Sequence, residues 1–337
     1  MKKSDLASKG YLKTIYSPNF CIIRSQNKNE KTFAKDITHG LTRKNKFISS
    51  KYFYDEKGSA LFDQICNLPE YYLTRKEIEI LSSIKQDLPK YFARVSALVE
   101  LGSGMAIKTK YLFDVLSVNR NKLEYFPIDI SDVVKESSER LEGVFDNLKI
   151  TGIVGQYENG LDLIKEIDSK KIIAFFGSSI GNFDQQNMIS FLRKIRKTMK
   201  SDDLFLLGLD LAKDKKVLEE AYNDSKGITR EFNLNILQRI NTELGGNFDL
   251  AKFEHVAFYN TNKNRIEMHL RSKIKQQIII NKINLSLNLE KDEMIRTEYS
   301  YKYTVLQIKQ IARNTGLNIA KIWSDKQNYF ALVLFSI

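Results

Sequence analysis

The segment best suited to chemistry is a short apolar run that ends in an acid and two glycines, Ala97-Leu-Val-Glu-Leu-Gly-Ser-Gly104. A helix is predicted to follow from about Ile107. A buried parallel strand that leads through a glycine turn into a helix is typical of a nucleotide-binding α/β unit, because glycine lets a ligand approach the backbone closely. The segment therefore predicts a site for a nucleotide-like ligand.

The residues of this turn narrow the class of ligand. The turn reads Gly102-Ser-Gly-Met-Ala-Ile107, so the third glycine of the dinucleotide fingerprint is missing. A pyrophosphate at a helix N-terminus is therefore less favoured than a ligand that approaches the backbone at one or two points. S-adenosylmethionine (SAM) is such a ligand.

Two charged residues near the turn could contact a nucleoside. Asp129 ends the second predicted strand, where a carboxylate can accept hydrogen bonds from both ribose hydroxyls. Lys108 would lie in the first turn of the next helix, within reach of a ligand carboxylate. Each residue also has an interpretation without a ligand: Asp129 could be an acid in a loop, and Lys108 could be an exposed lysine on a helix. Together with the glycine turn, the acid favours a nucleoside site.

Two further segments place polar groups where a small ligand could bind. The fourth predicted strand leads into Phe176-Gly-Ser-Ser-Ile-Gly-Asn182, which offers backbone groups and an amide, or is simply a strand-to-helix turn with a Ser or Asn cap. In the extended segment Thr297-Glu-Tyr-Ser-Tyr-Lys-Tyr303, Glu298 and Ser300 point to the same side. They could hold a ring with N–H donors, but the residues alone favour an exposed strand with polar alternation.

The elements around these segments predict the fold class. Strands are predicted at 97–101, 125–128, 150–154, 172–176 and 204–209. Helices are predicted between and after them, at 108–116, 132–141, 161–167 and 186–199. Strands that alternate with helices at this spacing indicate an α/β protein with a doubly wound, Rossmann-like parallel sheet that has helices on both faces.

The alternation stops after Asp210, which predicts a second, substrate-binding lobe. Helices at 213–222 and 229–244 precede strand-like segments at 255–260, 265–271 and 277–284. A helix at 304–315 and strands at 318–323 and 329–335 then suit the end of a class I methyltransferase sheet. Upstream, helices are expected at 58–66 and 74–88. We expect a basic, mobile leader over 1–29, a substrate-binding lobe over 30–92 plus 213–296, and a SAM-binding core over 93–212 plus 297–337.

Composition restricts the partners. The chain has 337 residues, 42% hydrophobic and 28% charged, as in an ordinary globular protein. Its net charge of +12 is compatible with a nucleic-acid partner. Residues 1–50 carry 11 Lys/Arg against 3 Asp/Glu, however, so most of the excess positive charge lies in that segment. No apolar run reaches the roughly 18 residues of a membrane span, and no signal peptide is indicated. We expect a cytoplasmic monomer that binds neither nucleic acid nor membrane.

Metal and disulfide chemistry are not predicted. The two cysteines, Cys21 and Cys66, are too few for a disulfide framework, and no Cys/His cluster has the spacing of zinc ligands. We therefore expect no metal.

Six segments give the chain a family resemblance. It resembles the ergothioneine-pathway L-histidine Nα-methyltransferases over nearly all its length, from about residue 30 onward. The matching segments are Tyr52-Phe-Tyr-Asp-Glu-Lys-Gly-Ser-Ala-Leu-Phe-Asp-Gln, Leu68-Pro-Glu-Tyr-Tyr-Leu-Thr-Arg-Lys-Glu, Glu100-Leu-Gly-Ser-Gly, Phe176-Gly-Ser-Ser-Ile-Gly-Asn, Arg265-Ile-Glu-Met-His-Leu and Thr297-Glu-Tyr-Ser.

The resemblance implies a role for each matching position. The positions implied to hold SAM are Gly102, Lys108, Asp129 and, at the adenine, Gln156 and Tyr157. The positions implied to bind histidine are Asn182 and Tyr222 at its carboxylate and Tyr71, Met268, Glu298 and Ser300 at its imidazole. Tyr54 and the Gly177 backbone are implied to line the reacting nitrogen. The family usually has an acid where this chain has Gln156, although an amide still accepts a hydrogen bond. His269 is a second local difference.

The activity implied by the resemblance is SAM-dependent trimethylation of the α-amino group of L-histidine, which yields hercynine. Such a transfer requires an aligned neutral amine and a dry site, and no metal. No poised His or Lys stands out as a base, so deprotonation is left to solvent or to a weak polar contact. The alternatives are methylation of another free amino acid, methylation of a nucleic acid, and a SAM-binding protein without catalysis.

Overall fold

The computed structural model describes residues 6, 10–25, 29–117, 122–145 and 147–337. The chain divides into two compact units. The first contains Met1–Asn27, Leu73–Leu211 and Tyr303–Ile337, and the second contains Lys28–Tyr72 and Ala212–Lys302. Among the described residues, no helix combines the length and the apolar character that crossing a membrane requires.

The strands of the described residues are numbered along the chain. They are β1 (Tyr11–Ile15), β2 (Phe20–Ser25), β3 (Ala97–Leu101), β4 (Leu123–Asp129), β5 (Leu148–Val154), β6 (Lys171–Phe175), β7 (Leu204–Asp210), β8 (Phe253–Asn260), β9 (Arg265–Ser272), β10 (Gln276–Ile280), β11 (Leu285–Leu289), β12 (Met294–Tyr301), β13 (Asn318–Ser324) and β14 (Phe330–Ser336).

The α-helices are numbered in the same way. They are α1 (Asn29–Leu41), α2 (Glu56–Cys66), α3 (Tyr72–Ser83), α4 (Pro89–Phe92), α5 (Thr109–Leu116), α6 (Val133–Glu142), α7 (Tyr157–Ile164), α8 (Gln185–Thr198), α9 (Lys215–Glu220), α10 (Ile228–Leu244) and α11 (Val305–Thr315).

The first unit is built on a sheet with the strand order β1-β2-β5-β4-β3-β6-β7-β14-β13. The strands from β2 to β7 are parallel, whereas β14 runs antiparallel to both β7 and β13. The chain proceeds from β3 to β5 in one direction and from β6 to β7 in the other. Right-handed crossovers then place helices on both faces. This confirms the predicted α/β, Rossmann-like sheet, which β14 and β13 complete at one edge.

The central strands are apolar because helices cover both faces of the sheet. All residues of β3 and β6 are buried, which is why these strands read as continuous apolar runs. The order of the strands reverses beside β3, and ligands bind doubly wound sheets outside the carboxyl ends of the strands at such a point. The glycine turn after β3 and the Gly177 loop after β6 both lie there.

The prediction of a leader over 1–29 is corrected for the residues that the structure describes there. β1 and β2 form an antiparallel hairpin, and β2 pairs with β5 in parallel, so the hairpin extends the sheet. The reason is the apolar run Phe20-Cys-Ile-Ile23, which is buried in β2. The rest of the leader, at 1–5, 7–9 and 26–28, lies outside the described residues.

The second unit combines helices with two antiparallel sheets. β12, β9 and β8 form one sheet in that order, and β10 pairs with β11 in the other. The single strand predicted at 277–284 is therefore wrong, because a 3-10 turn at Asn281–Ile283 ends β10 and leads into β11. α10 packs against α2. Close to this contact, the ring centroids of Phe53 and Phe232 are 4.5 Å apart.

The boundaries of the two units differ from the predicted ones at two places. Residues 73–92 lie in the first unit, where Glu77 on α3 bonds to the backbone of Gly177. Residues 297–302 lie in the second unit, because β12 continues to Tyr301 in its pairing with β9. The ladder of hydrogen bonds between strands thus sets the end of the second unit.

Candidate active site

The glycine turn after β3 admits no side chain at its first position. Gly102 has φ of +71°, and a Cβ there would lie 2.9 Å from the Tyr157 hydroxyl oxygen. Gly104 has φ of +46°, and Ala106 is also in the left-handed region, with φ of +54°. Three residues within five positions therefore lie in the left-handed region, which the two glycines adopt without strain, so Ala106 alone carries backbone strain there.

Asp129 lies at the end of β4, as predicted, and braces the glycine turn. Its Oδ2 accepts the Gly104 N–H at 3.0 Å. Its Oδ1 accepts the N–H of Ser131 at 3.0 Å and the Ser131 hydroxyl at 2.8 Å. The structure therefore brings the glycine turn and the predicted ribose acid together.

The turn also contains a buried polar atom with no partner. Among the described residues, nothing hydrogen-bonds to the Ser103 hydroxyl, although the residue is only 6% exposed. Buried hydroxyls normally have a partner, since leaving one unpaired costs about 1–3 kcal/mol. The Ser103 hydroxyl and the bare backbone of Gly102 thus fit a polar ligand such as SAM.

The predicted adenine contacts lie at the start of α7. Tyr157 is the first residue of the helix, and its ring centroid lies 5.3 Å from that of Phe175 and 5.9 Å from that of Phe191. Gln156 occupies the N-cap position, but its side chain caps no backbone N–H. The Tyr157 ring can stack on a purine base, and the Gln156 amide, which does not cap the helix, can hydrogen-bond to it.

Glu100, the acid of the glycine segment, points into the protein. Its carboxylate accepts hydrogen bonds from the hydroxyls of Thr109 and of Tyr125, the latter at 2.5 Å. Burial raises the pKa of Glu100 to about 7. Thr109 lies on α5 and Tyr125 on β4, so Glu100 connects the end of β3 to both neighbouring elements.

A buried carboxylate that sequence reasoning missed joins two predicted site residues. Glu77 on α3 is fully buried, and its two oxygens accept the Gly177 N–H at 3.1 and 2.9 Å. The Lys108 ammonium lies 2.6 Å from the same carboxylate. Burial raises the pKa of Glu77, an effect that the Lys108 charge opposes. Glu77 therefore links the helix after the glycine turn to the loop after β6.

Replacing Glu77 with glutamine is expected to lower the free energy of unfolding by about 2 kcal/mol. The amide still accepts the Gly177 N–H, but the Lys108 ammonium loses its charged partner. Urea denaturation of the purified variant measures this effect. The matched control is Glu79→Gln on the same helix, which breaks a more exposed pair with Lys76 and should cost less than about 1 kcal/mol. Equal losses in the two variants would contradict the role given to Glu77.

The loop after β6 holds two more predicted residues. Gly177 has φ of +73°, and a Cβ there would lie 3.3 Å from the Lys108 Nζ. Ser178 has φ of +56°, and its hydroxyl accepts the Asp210 N–H at 2.9 Å. Asn182 ends the following 3-10 turn and is half-buried. The Ser178 side chain thus binds the end of β7 and does not cap the 3-10 turn, so the loop is not a simple Ser-capped turn.

The second unit places Glu298 in a buried position. Glu298 lies on β12 directly opposite Met268 on β9, and a β-bulge precedes it in the strand. The side chain of Met268 is fully buried, and Glu298 is 9% exposed. In the described part of the chain, no group donates a hydrogen bond to the Glu298 carboxylate. The expectation of an exposed strand with polar alternation is therefore wrong, because Glu298 and Ser300 are buried on β12.

The environment of Glu298 changes its ionisation. Burial raises the pKa of Glu298 to about 7, and the Lys302 charge opposes this rise. A buried carboxylate without donors is a costly group, which a ligand that supplies an N–H would relieve. The site thus suits a ring with N–H donors.

Replacing Glu298 with glutamine is expected to change how stability depends on pH. A folded-state pKa of about 7, raised from 4.5, means that wild-type stability falls as pH rises through this interval. The advantage of Glu298→Gln over the wild type should therefore grow by roughly 2–3 kcal/mol between pH 5 and pH 8. Urea denaturation at the two pH values measures it. A constant difference between the two proteins would contradict burial of the ionised carboxylate.

Ser300 and Tyr222 form a network with a lysine that sequence reasoning missed. The Tyr222 hydroxyl donates to Ser300 Oγ at 2.8 Å. The Lys302 ammonium donates to Ser300 Oγ at 2.9 Å and to the Tyr222 hydroxyl at 3.2 Å. Lys302 is 1% exposed. Its place two residues after Ser300 in an extended segment was the signal that could have identified it.

A cluster of aromatic rings in the second unit includes Tyr222 of this network. The Tyr54 ring lies 5.6 Å from Phe62 and 5.9 Å from Phe232, between centroids. Tyr71 lies 6.2 Å from Phe62 and 6.4 Å from Tyr222. Burial raises the pKa of Tyr71, so its hydroxyl stays protonated. The predicted residues Tyr54, Tyr71 and Tyr222 therefore belong to one aromatic cluster.

The residues thus form one set in each unit. The first unit holds Gly102, Lys108, Asp129, Gln156, Tyr157, Gly177 and Asn182. The second holds Tyr54, Tyr71, Tyr222, Met268, Glu298 and Ser300. Within the described residues, no group of His, Cys, Asp and Glu side chains is arranged to hold a metal ion.

Comparison with known proteins gives a consistent result. Residues 33–337 match the model of a family described as histidine-specific, SAM-dependent methyltransferases. The chain is 35% identical over 301 residues to the histidine N-alpha-methyltransferase of Mycolicibacterium smegmatis, a match that covers 89% of this chain and 93% of that protein.

Two fungal proteins are also similar. The ergothioneine biosynthesis protein 1 of Neurospora crassa is 31% identical over 293 residues, covering 82% of this chain and 32% of that longer protein. A 4-dimethylallyltryptophan N-methyltransferase of Claviceps purpurea is 27% identical over 327 residues, covering 90% of this chain and 94% of that protein. Similarity thus extends to proteins named for different amino-acid substrates.

Proposed function

Because the chain belongs to the family of SAM-dependent, histidine-specific methyltransferases, we propose that it trimethylates the α-amino group of L-histidine to hercynine, in ergothioneine biosynthesis. The observation that carries the choice of substrate is the buried Glu298 carboxylate, which lacks a donor among the described residues and lies beside Met268. An imidazole N–H supplies the donor that the Glu298 carboxylate lacks.

The residues of the first unit would hold SAM. Asp129 is assigned to the ribose hydroxyls, and Gln156 with Tyr157 to the adenine. Gly102 is assigned to the close approach of the ligand, while Lys108 is assigned to its carboxylate end and stays paired with Glu77. SAM supplies a methyl group already activated by a sulfonium, so the protein has to bind and align rather than activate it.

A second set of residues is assigned to histidine. Glu298 accepts the imidazole N–H, Ser300 donates to the other ring nitrogen, and Tyr71 with Met268 surrounds the ring. Asn182 and Tyr222 are assigned to the carboxylate of the amino acid. Both ends of the substrate are then fixed, which directs the α-nitrogen to the methyl group.

Tyr54 and the backbone of Gly177 are assigned to the space around the reacting nitrogen. The product of three transfers is a trimethylammonium, which aromatic faces attract without a hydrogen bond. The Tyr54, Phe62 and Phe232 rings supply such faces in the second unit. The aromatic cluster thus supports a reaction that continues to the quaternary product.

The wider cellular context is part of the same proposal. We take the enzyme to be a cytoplasmic monomer whose partners are small molecules rather than nucleic acids or membranes. The concentration of the net positive charge in residues 1–50 supports this view, since a nucleic-acid enzyme would need basic residues around its site.

The proposal is tested by offering the purified enzyme SAM together with all twenty amino acids. Mass spectrometry should show mono-, di- and trimethylated histidine, with the trimethylated form accumulating. Preferred methylation of another amino acid would identify a different substrate, and methylation of added RNA or DNA a different class of enzyme. SAM binding without any product would show that catalysis has been lost.

A further inference from the structure

Tyr222, which is assigned to the carboxylate of the substrate, lies in the connection between α9 and α10 and belongs to neither helix. Side chains of the second unit nevertheless hold both of its ends. Its hydroxyl donates to Ser300 Oγ at 2.8 Å. Its backbone carbonyl lies 2.9 Å from Nε2 of His255, a residue of β8. His255 therefore ties the backbone of Tyr222 to the antiparallel sheet.

The contacts of His255 define the protonation state of its ring. A backbone carbonyl can only accept a hydrogen bond, so Nε2 carries the hydrogen that Tyr222 receives. The Nδ1 atom lies 2.9 Å from Asn233 Nδ2 on α10, and an amide nitrogen can only donate, so Nδ1 accepts. A ring with one donor and one acceptor is neutral. Burial lowers the pKa of His255, which favours the same neutral form, although the bond to the Tyr222 carbonyl opposes this effect.

The amide of Asn233 is fixed in the orientation that serves His255. Its Nδ2 also donates to the backbone carbonyl of His269 on β9, at 3.0 Å. In the opposite orientation, the amide oxygen of Asn233 would face that carbonyl oxygen with no hydrogen between them. Both amide hydrogens are therefore used, one on His269 and one on His255.

The buried amide of Asn233 is costly for the fold. Asn233 is 0% exposed and lies in the interior of α10, where asparagine has a lower helix propensity than leucine. Its Oδ1 has no hydrogen-bond partner among the residues that the structure describes. An apolar residue would avoid both costs, and polar groups retained at such a cost are typical of functional sites. The pair of Asn233 and His255 therefore points to a function rather than to stability.

We propose that His255 is a positioning residue, held in its Nε2–H form by Asn233, that fixes Tyr222 for binding the carboxylate of the amino-acid substrate. The inference rests on the proposed function, since it uses the role assigned to Tyr222. Without the bond from His255, the connection between α9 and α10 loses a contact with β8, and Tyr222 meets the carboxylate in a poorer geometry. The carboxylate is bound equally before and during methyl transfer, so the loss raises KM and leaves kcat unchanged.

Two amide variants separate the functions of the two ring nitrogens. The amide nitrogen of glutamine reaches about as far as Nε2, so His255→Gln keeps a donor for Tyr222. The shorter asparagine reaches only as far as Nδ1, so His255→Asn keeps a partner for Asn233 and loses the donor for Tyr222. In steady-state assays, His255→Asn should raise the KM for histidine about 10-fold, with kcat within about twofold of the wild type. His255→Gln should stay within about threefold of the wild type in KM.

The control is an exposed histidine of the same unit. His39→Asn should have the wild-type KM for histidine. All three variants should bind S-adenosylhomocysteine as the wild type does, measured by titration calorimetry. Equal KM values in His255→Asn and His255→Gln, whether raised or unchanged, would overturn the role of His255 as a donor to Tyr222. A fall in kcat without a rise in KM would overturn it as well.

The protonation state of His255 gives a test that does not depend on folding of its variants. The chain has three histidines, so the ¹⁵N NMR signals of labelled histidine side chains can be assigned with His39→Asn and His269→Asn. We expect the Nε2–H form of His255 near neutral pH. Its ¹⁵N shifts should change when unlabelled histidine is added to the complex with S-adenosylhomocysteine. The Nδ1–H form, or shifts that do not respond to histidine, would contradict the inference.

A failure of the proposed function would be recognised separately. If the wild type methylates a different amino acid, the choice of histidine is wrong. The difference between His255→Asn and His255→Gln is then expected in the KM for that amino acid, because all amino acids share the carboxylate. If the wild type methylates histidine and the two variants have the same KM, only the role of His255 is wrong.

Discussion

Replacing Asp129 with alanine is expected to weaken SAM binding about 1,000-fold, or roughly 4 kcal/mol, because two charge-assisted hydrogen bonds to the ribose are lost. The structure adds a second cause. Asp129 also accepts the Gly104 N–H, so the glycine turn loses a contact that holds it in place. Titration calorimetry with S-adenosylhomocysteine measures the affinity directly.

The control for this variant is close by in the chain. Asp132 lies three residues further on, and its carboxylate is exposed and paired with Arg24. Asp132→Ala should bind S-adenosylhomocysteine as the wild type does. A wild-type affinity in Asp129→Ala would show that the ribose is not held at the end of β4.

Replacing Glu298 with alanine is expected to lower kcat/KM for histidine about 100-fold, while the affinity for SAM stays close to that of the wild type. A hydrogen bond to a charged partner contributes roughly 1.5–3 kcal/mol, and the buried site gives the imidazole N–H no alternative acceptor from water. The selectivity of Glu298→Ala for histidine over the other amino acids should fall together with kcat/KM for histidine. Competition assays with pairs of amino acids measure the ratio of kcat/KM values.

Two further variants make the result specific. Glu298→Gln keeps an acceptor of similar size, so it should retain more histidine selectivity than Glu298→Ala. Glu290→Ala removes an exposed acid of the same region, which pairs with Lys275, and should behave as the wild type. Unchanged selectivity in Glu298→Ala would refute the role of this carboxylate.

The sheet of the first unit could be predicted from the sequence because its strands follow a simple apolar pattern. Buried parallel strands are continuous apolar runs, and all of β3 and β6 is buried. The strands from β3 to β7 were each predicted to within two residues of their observed ends. The glycine turn and Asp129 could be located because they follow directly from the ends of β3 and β4.

The residues that were missed act across long distances in sequence. Glu77 contacts Gly177, which is 100 residues away, and no local pattern indicates such a pair. The β1–β2 hairpin was hidden by the basic composition around it, although Phe20-Cys-Ile-Ile23 is an apolar run. Lys302 looked like an ordinary polar residue of an exposed strand. Only the pairing of β12 with β9, which buries Glu298 and Ser300, reveals its environment.

The most direct test of the proposed reaction is to identify the atom that receives the methyl groups. The wild-type enzyme is incubated with L-histidine and SAM that carries ¹³C in its methyl group, and the product is examined by NMR. We expect three equivalent ¹³C methyl groups on the α-nitrogen, with three molecules of S-adenosylhomocysteine formed per product. Label on an imidazole nitrogen, or histidine left unlabelled while SAM is consumed, would contradict the account.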